Sequence, residues 1–348
     1  MIKNLVSIII VNLNGKQHLE KCLPSIFSQI HKSIEVILVD NASSDDSVGW
    51  VKRNYPNVKI VINDQNLGFC QANDIGYNHS KGKYILFLNN DTQVTRHFLV
   101  NLIKVIKAEN NIGGVQSKIL FMDDPKRLDS AGSYLTRTGF LYHYGLYALD
   151  AEEFENKFDV FSAKGACMMF RREVLEKVKV DGEIFDQRYF AYFEETDLCH
   201  RVWLAGYRVV FVPDSVIYHK FGATSQKLDK SFVEYHSYKN RLNSYLKNLG
   251  LTTLVIIIPI HLLICCVLSI VFFLKGKPSI TIAIIKAIFW NIFQIRKTLN
   301  KRYKIQQAIR KLRDEDFWPD ILRNPPFGYY LSQLAGWNTT RIDEEVNV

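Results

Sequence analysis

Three polar segments of this 348-residue sequence come directly after apolar runs, where the strands of a sheet would end. They are Asn12–Gly15 (NLNG), Asp40–Ser43 (DNAS) and Asn89–Thr92 (NNDT). Because the carboxyl ends of parallel strands meet at one edge of a sheet, we expect these side chains to share a cleft. Their carboxylate and amide oxygens suit a polar ligand and a hard divalent cation. One such segment alone is more typical of a turn, but three at one edge favour a binding site.

A second group of side chains that can do chemistry is acidic. Glu194, Glu195 and Asp197 lie within four residues, so their mutual repulsion is expected to raise the pKa of at least one of them. A carboxylate with a raised pKa suits a general base that takes a proton from a hydroxyl group. The alternative interpretation is a solvated helix start, where the helix dipole favours acidic residues.

Two common nucleotide-binding signatures are missing from the sequence. It has no GxxxxGK[ST] loop, which leaves a P-loop nucleoside triphosphatase unsupported, and no GxGxxG turn after the first apolar run, which weakens a dinucleotide-binding interpretation. The phosphates of a bound nucleotide would therefore need a metal ion. Asp91 is the best candidate ligand, because one carboxylate fits Mg²⁺ or Mn²⁺ held jointly by protein, phosphates and water.

Four motifs, in order and at matching spacing over about residues 5–225, resemble family 2 glycosyltransferases of the rhamnosyltransferase-like branch. The motifs are Asp40–Asp45 (DNASSD), Asn66–Phe69 (NLGF) with Ala72 and Asn73, Leu88–Asp91 (LNND), and Phe193–Arg201 (FEETDLCHR) followed by Gly206 and Tyr207. The resemblance implies a GT-A-type fold and inverting transfer of a sugar from a nucleotide diphosphate sugar to a saccharide or lipid-linked acceptor. Rhamnose is the candidate sugar.

The resemblance also implies roles for single residues. Asp40 matches the position that hydrogen-bonds the nucleotide base, and Gly165 matches a loop near the donor sugar. The other residues predicted to line the nucleotide-sugar site are Asn12, Asn41, Asn66, Gly68, Asn73 and Asn89.

The same resemblance assigns the metal site and the base. Asp91 matches the last carboxylate of a DxD-like metal motif, whose first two positions are here Asn89 and Asn90, and His219 matches a late histidine that contacts diphosphate or metal. Glu195 matches the usual position of the general base. Glu194 is a rival for that role, and Asp197 is a further candidate.

Two other functions remain open at this point. A catalytically silent member of the fold would serve as a membrane scaffold, and it would bind no nucleotide diphosphate. A sugar-phosphate nucleotidyltransferase would release pyrophosphate, but the basic, Gly-rich loop expected near residue 15 is reduced here to Lys16.

The elements that must position these residues alternate along the first part of the chain, which predicts an α/β fold with a doubly wound, mostly parallel sheet. Continuous apolar runs predict strands covered on both faces, and amphipathic stretches predict the helices between them. The predicted strands are 6–11, 34–39, 58–62, 84–88, 166–170, 208–212 and 216–218; the predicted helices are 19–29, 45–54, 69–79, 98–109, 195–205 and 231–248.

The net charge of +9 lies mostly behind a long apolar segment. Residues 1–250 carry a net +3, whereas residues 251–348 carry +6. Leu251–Leu274 has 24 residues without a charge, and a transmembrane helix needs about 20. The following residues Lys275–Arg313 hold 11 basic and no acidic side chains, which favours anionic lipid over nucleic acid as partner.

These patterns predict a catalytic domain at residues 1–250 and a helical, membrane-associated region at residues 251–348, with lipid contacts through residues 251–313. Nucleotide sugars are cytosolic, so the resemblance places the protein on the cytoplasmic face of the membrane. One or two spans and a half-inserted, monotopic arrangement both fit the sequence, because the second apolar stretch, Ser279–Ile295, has only 17 residues and contains Lys286.

Overall fold

The fold was determined as a computed structural model that describes residues 2–222, 228–325 and Tyr329. Residues 223–225 of the predicted histidine motif lie outside the described residues, as do residues 326–328 and 330–348 of the predicted membrane-associated region.

The strands and helices alternate as predicted in the first half of the chain. The strands are β1 (Ile2–Asn12), β2 (Ile34–Asp40), β3 (Lys59–Ile62), β4 (Gly82–Leu88), β5 (Thr92–Val94), β6 (Ile112–Phe121), β7 (Leu128–Ser130), β8 (Ser133–Leu135), β9 (Leu141–His143), β10 (Phe158–Asp159), β11 (Cys167–Arg171) and β12 (Arg208–His219). The helices are α1 (Lys16–Phe27), α2 (Ser47–Asn54), α3 (Gly68–Asn78), α4 (Phe98–Ala108), α5 (Arg172–Val178), α6 (Glu194–Leu204), α7 (Lys230–Asn248), α8 (Leu251–Leu274), α9 (Pro278–Phe293), α10 (Ile295–Lys304) and α11 (Asp314–Ile321).

The main sheet has the strand order β10-β12-β6-β11-β4-β1-β2-β3, with β5 paired to β12 and β7 paired to β6. The strands β4, β1, β2 and β3 are parallel, as are β6 and β12. Strand β11 runs antiparallel to both β4 and β6 and joins these two parallel groups. The predicted α/β class with a mostly parallel sheet is confirmed.

Alternation of side chains across the central strands builds a core on each face of the sheet. On β1, Ile9 packs into one core, whereas Ile8 and Ile10 pack into the other. Both cores contain residues of the same neighbouring strands, for example Phe87 and Leu86 of β4. The continuous apolar runs are therefore explained by burial on both faces.

Strand β6 was not predicted, because Gly113 and Gly114 interrupt its apolar pattern. A Cβ atom on Gly114 would lie 2.5 Å from the ring of Phe170 on β11, so the glycine permits close contact between the two strands. The two predicted strands 208–212 and 216–218 form the single strand β12, whose register against β6 shifts between Val212 and Val216. Pro213 lies in this irregular stretch. A proline has no backbone N–H to donate, so the ladder of hydrogen bonds is interrupted there.

The C-terminal helices present their apolar side chains outward. In α8 the buried positions recur every fourth residue and are mostly small or polar: Thr253, Ile257, His261, Cys265 and Ser269. Large apolar side chains such as Leu263 and Ile270 are 66% and 61% exposed. Helix α8 is long and apolar enough to cross a membrane, and the segment formed by α9 and the residues after it is bent by 65°. The predicted apolar C-terminal helix is confirmed.

Residues beyond position 250 also pack on the rest of the molecule. Phe317 of α11 stacks on Trp203 of α6 with ring centroids 5.8 Å apart, and Ile257 and Ile305 belong to the same core as the sheet. The domain boundary at residue 250 stays a prediction.

Candidate active site

The three polar segments meet at the carboxyl edge of the sheet through Asn12, the last residue of β1. Its amide nitrogen lies 2.9 Å from Asp40 Oδ1, and its amide oxygen accepts a hydrogen bond of 2.8 Å from Asn90. Asp40 is buried, and its two oxygens also accept from the side chain and the backbone N–H of Ser43. Asn12 therefore connects the ends of β1, β2 and β4 into one polar floor.

A second group of amides lies beside this floor and includes further predicted nucleotide-sugar residues. Asn41 donates to the side chain of Asn66 and to the carbonyl of Gly68, each over 3.2 Å. Gly68 has φ +76°, and a Cβ atom there would lie 2.6 Å from the carbonyl oxygen of Phe190. Only glycine adopts this conformation without strain, so the glycine brings the start of α3 against the segment that precedes α6. Asn73 is buried and donates to the carbonyl of Phe69.

Glu194 and Glu195 stand at the N-terminus of α6, beside Gly165. A Cβ atom on Gly165 would lie 4.0 Å from both Glu194 Oε1 and Glu195 Cβ. Glu194 is buried and its Oε2 has no hydrogen-bond partner, whereas Glu195 is half-buried. Burial, together with the charge of Glu195, holds the pKa of Glu194 well above its ordinary value. Burial also raises the pKa of Glu195 to about 7, against the opposing effect of backbone hydrogen bonds and the Lys164 charge.

The structure does not bring Asp197 into the cleft with the two glutamates. Its buried carboxylate lies 3.1 Å from Lys247 Nζ and 3.2 Å from Arg201 Nη2, and Asn248 donates to it over 2.9 Å. Although burial opposes it, the charges of Lys247 and Arg201 lower the pKa of Asp197 to about 2. Asp197 therefore has the surroundings of a structural ion pair that joins α6 to α7.

The backbone before α6 is strained, and a residue that sequence reasoning missed holds it. Phe190, Tyr192 and Phe193 all have φ between +64° and +70°, a region that non-glycine residues rarely adopt. The buried amide of Asn240 on α7 donates to the carbonyls of Ala191 and Tyr192 over 2.9 and 2.6 Å. Asn240 therefore helps to position the start of the acidic helix.

Asp91 and His219, the predicted metal ligands, are neighbours. His219 Nε2 lies 3.4 Å from Asp91 Oδ1, and this buried oxygen has no hydrogen-bond partner. His219 Nδ1 lies 2.6 Å from Asp129 Oδ2, and Lys164 Nζ lies 2.5 Å from the other oxygen of Asp129. Burial opposes the cationic form of His219, but Asp129 and Asp91 outweigh it and raise its pKa.

The residues present fit a metal that the protein shares with a ligand. An unpartnered buried carboxylate oxygen suits a cation, and a carboxylate behind an imidazole is a common way to orient a ligating histidine. Within residues 2–222 and 228–325, no three His, Cys, Asp or Glu side chains are arranged to enclose a metal ion. The sequence offered no signal for Asp129 or Lys164, because neither belongs to one of the motifs.

A cavity of about 270 Å³ opens beside Asp91. Its lining combines the start of α1 with the ends of β4, β6 and β12: Gln17, His18, Glu20, Lys21, Asp91, Thr92, Met122 and Lys220. The backbone N–H of Lys220 donates to the carbonyl of Asp91 over 3.0 Å. The candidate metal site is therefore open to a ligand, with two lysines, Lys21 and Lys220, in the lining of the cavity.

The mostly parallel sheet thus brings a polar floor, an acidic pair and a candidate metal site to one edge, an arrangement that can hold a polar, charged ligand. The model of glycosyl transferase family 2 matches residues 7–179. Residues 7–179 therefore carry a domain of this family, and the predicted resemblance is confirmed. The scaffold and nucleotidyltransferase alternatives receive no support.

Three known proteins illustrate the similarity. The N-acetylglucosaminyl-diphospho-decaprenol L-rhamnosyltransferase of Mycobacterium tuberculosis is 23% identical over 259 residues, which are 67% of this chain and 82% of the relative. Residues 1–349 of Staphylococcus aureus TarS in complex with UDP-GlcNAc superpose with a TM-score of 0.56 at 15% identity, over 96% of this chain and 92% of that one. The mannosyltransferase PcManGT of Pyrobaculum calidifontis, in complex with GDP-Man and Mn²⁺, gives a TM-score of 0.51 at 16% identity, over 83% and 87%.

Other relatives are much longer than this chain. It spans only 25% and 30% of the length of two curated relatives from Sinorhizobium fredii and Streptococcus pneumoniae. The two solved structures share the fold of this chain. The roles of its individual site residues stay predictions.

Proposed function

We propose that this glycosyltransferase moves a sugar, with inversion at the anomeric carbon, from a nucleoside-diphosphate sugar to a hydroxyl group of a lipid-linked saccharide. The observation that carries the proposal is the half-buried Glu195, whose pKa is raised to about 7 beside Gly165 at the mouth of the polar cleft. The mycobacterial relative supports this type of acceptor, because its name describes an L-rhamnosyltransferase and includes a saccharide linked to diphospho-decaprenol. The same name makes rhamnose a candidate sugar.

Glu195 acts in this proposal as the general base. It takes the proton of the acceptor hydroxyl while that oxygen bonds to the anomeric carbon, and the bond to the diphosphate breaks with its electron pair leaving on the nucleoside diphosphate. One carboxylate suffices for this step, whereas a glycosidase needs two. Burial and the neighbouring charge of Glu195 hold the pKa of Glu194 well above its ordinary value, which favours the protonated form of Glu194 and leaves the role of base to Glu195.

Asp91 and His219 are the side chains that would hold a divalent cation, Mg²⁺ or Mn²⁺. When bound, such a cation neutralises charge on the diphosphate, so that the leaving group departs without a proton. The buried Oδ1 of Asp91, which accepts no hydrogen bond and lies 3.4 Å from His219 Nε2, supports this assignment, as do the structural neighbours solved with Mn²⁺. The amide floor around Asn12, Asn41 and Asn66 would line the nucleotide sugar, with Asp40 and Asn73 holding that floor in place. Asn89, predicted for the same role, follows β4, and its backbone N–H donates to the carbonyl of Ala166.

A donor screen tests the reaction. Full-length protein in membranes is incubated with a panel of nucleotide sugars, and nucleoside diphosphate release and glycolipid formation are measured together. Asp91→Asn should weaken metal-dependent binding of the nucleotide diphosphate at least tenfold, because it removes the one charge at that position. Asp214→Asn, which changes an exposed carboxylate on β12, is the control. Wild-type binding and rates in Asp91→Asn would contradict the metal role.

We propose further that the protein acts at the cytoplasmic face of a membrane, held by α8 and the bent segment behind it. The support is the outward orientation of large apolar side chains in α8 and α9, including Leu263 at 66% and Phe293 at 78% exposure. A soluble helix turns such residues toward the core, and exposed apolar patches of this extent mark membrane or protein contacts.

A further inference from the structure

One arginine close to the acidic pair has no adequate partner within the protein. Arg241 of α7 donates to Ser237 over 3.2 Å through Nη2, whereas its Nε and Nη1 are inaccessible to solvent and have no hydrogen-bond partner. A guanidinium group stays charged at every physiological pH. Burying its donors without acceptors is costly, so these nitrogens are expected to meet an acceptor when the protein works.

Aromatic rings surround this guanidinium group. Its carbon lies 4.5 Å from the ring centre of Phe140, 5.3 Å from that of Tyr238 and 5.6 Å from that of Phe193. Such rings attract the cation but accept no strong hydrogen bond. Glu234 is near enough for the Arg241 charge to affect it, yet burial dominates and raises the pKa of Glu234, and the two side chains form no ion pair within 4.0 Å in the described part of the chain. The environment therefore positions the cation without neutralising it.

The position of Arg241 links the reaction centre to the membrane helix. Phe193, which the guanidinium faces, is the residue directly before Glu194. Phe140, on the other side, packs against His261 of α8 with ring centroids 4.7 Å apart. One cation thus lies between the acidic pair and a helix whose outer face is apolar.

From these observations we infer that Arg241 binds the diphosphate group of a polyprenyl-diphosphate-linked acceptor, while the lipid chain follows α8 and the sugar reaches Glu195. Arginine is suited to phosphate because it offers several charged donors in a fixed plane. A ligand with an anionic group between a reacting sugar and an apolar tail matches the order of acidic pair, cation and apolar helix. The inference rests on the proposed lipid-linked acceptor and names the residue that recognises it.

Binding of farnesyl diphosphate to the full-length protein in detergent micelles tests the inference. Titrations are carried out with EDTA, so that no divalent cation supports binding at the donor site. Arg241→Gln should weaken farnesyl diphosphate binding at least tenfold, since hydrogen bonds to charged groups contribute more than neutral ones, and Arg241→Lys should weaken it less. Arg172→Gln is the matched control, because Arg172 also stacks on an aromatic ring, that of Tyr77 at 4.7 Å, but has protein acceptors at Gly82 and Ser80.

Two further probes decide the source of the anion. Farnesol should bind weakly and without dependence on Arg241, and inorganic pyrophosphate should bind more weakly than farnesyl diphosphate. If pyrophosphate binds as tightly and is lost equally in Arg241→Gln, the site takes a small anion and the lipid assignment is wrong. If the Arg241 variants retain wild-type affinity for farnesyl diphosphate, the role of Arg241 is wrong.

A separate reaction distinguishes this inference from the proposed function. Donor binding with Mn²⁺ should be unchanged in Arg241→Gln, whereas the KM for a lipid-diphosphate acceptor should rise at least tenfold. If wild-type protein transfers sugar to a membrane lipid and Arg241→Gln has the same acceptor KM, only the inference fails. If wild-type protein transfers sugar to no lipid-linked acceptor, the proposed acceptor class fails.

Discussion

At the scale of single residues, the two neighbouring glutamates differ because their surroundings differ. Glu194 is fully enclosed and one of its oxygens lacks a partner, while Glu195 is half-buried and feels the positive charge of Lys164. When two neighbouring carboxyl groups have different surroundings, their pKa values differ, and one can be protonated while the other is available as a base. The third acidic residue, Asp197, forms ion pairs with Lys247 and Arg201 and is therefore not expected to act as a base.

Replacing the proposed base should abolish most of the activity without affecting donor binding. We expect Glu195→Gln to lower kcat about 100- to 10,000-fold, the usual contribution of a general base, at an unchanged affinity for the nucleotide diphosphate. Glu194→Gln, which mimics the protonated form, should retain most of the rate. A large loss in Glu194→Gln with an active Glu195→Gln would exchange the two roles.

Because the pKa of Glu195 is raised, we expect the rate to rise with pH and the stability of the fold to fall with pH. The rate should increase as the pH rises through about 7, because the base must lose its proton. Stability should fall as the pH rises from about 4.5 toward 7, since within this range the native state retains a proton that the unfolded state has lost. Glu195→Gln should remove this contribution to the pH dependence of thermal unfolding, and an unchanged pH profile would argue against the burial of this carboxyl group.

At the scale of elements, three residues of α7 contact the segment around the start of α6, which carries the proposed base. Asn240 supports the strained backbone before α6, Lys247 pairs with Asp197, and Arg241 faces Phe193. Lys247 also lies 2.7 Å from Asp186, which in turn is 3.1 Å from Lys301 of α10. The helix that precedes the apolar segment is therefore part of the machinery that orients α6.

Removal of the Asn240 amide should release the strained segment before α6. We expect Asn240→Ala to reduce kcat at least tenfold while nucleotide binding with Mn²⁺ stays intact, because the base is displaced and the donor site is not. Lys230→Ala, which alters an exposed residue at the start of α7, is the control. Equal kcat values for Asn240→Ala and wild-type protein would show that the positive φ angles persist without this amide.

Breaking the buried ion pair should affect folding instead of the chemical step. Asp197→Asn leaves Lys247 and Arg201 without their shared counter-charge, and loss of one partner from a buried pair typically costs about 3–5 kcal/mol. We expect a lower unfolding temperature together with near-normal kcat for the fraction that remains folded. A fully stable but inactive Asp197→Asn protein would return Asp197 to the group of catalytic candidates.

At the scale of the whole molecule, the sheet that carries the candidate site and the C-terminal helices share one hydrophobic core. The core that contains Phe87 of the sheet also contains Ile257 of α8 and Phe317 of α11. Deleting everything after residue 250 would therefore expose a core as well as remove a membrane anchor. Point substitutions on the outer face of α8 separate these two effects.

Leu263→Asp combined with Ile270→Asp should move the protein from the membrane fraction to the soluble fraction. Each acidic side chain placed at membrane depth costs about 3 kcal/mol, and both positions are exposed in the isolated fold. The double variant Ile30→Asp and Val100→Asp adds the same charge to exposed apolar positions elsewhere and is the control. Membrane flotation after lysis measures the result, and flotation of both double variants with wild-type efficiency would contradict the anchor.

The sequence by itself determined the class of fold, the family and most of the residues at the carboxyl edge of the sheet. The continuous apolar runs are local signals, as are the short motifs around Asp40, Asp91 and Glu195. They can be recognised from neighbouring residues in the sequence without knowing any tertiary contact. Strand β6 was not predicted because Gly114 permits close contact with Phe170 of β11 and Gly113 packs against α5 and α6, and a glycine interrupts the apolar pattern that indicates a strand.

Only the tertiary structure decided which polar groups are already satisfied and which are left for a ligand. Asp197 looks equivalent to its neighbours in the sequence, but Lys247, 50 positions later, takes up its charge. Distant partners likewise explain three residues that no motif contains, Asp129, Lys164 and Asn240. Arg241 stands out for the opposite reason, because two of its buried nitrogens have no acceptor. The physical reason is that burial, ion pairing and pKa depend on distances in space, which the spacing of residues along the chain does not contain.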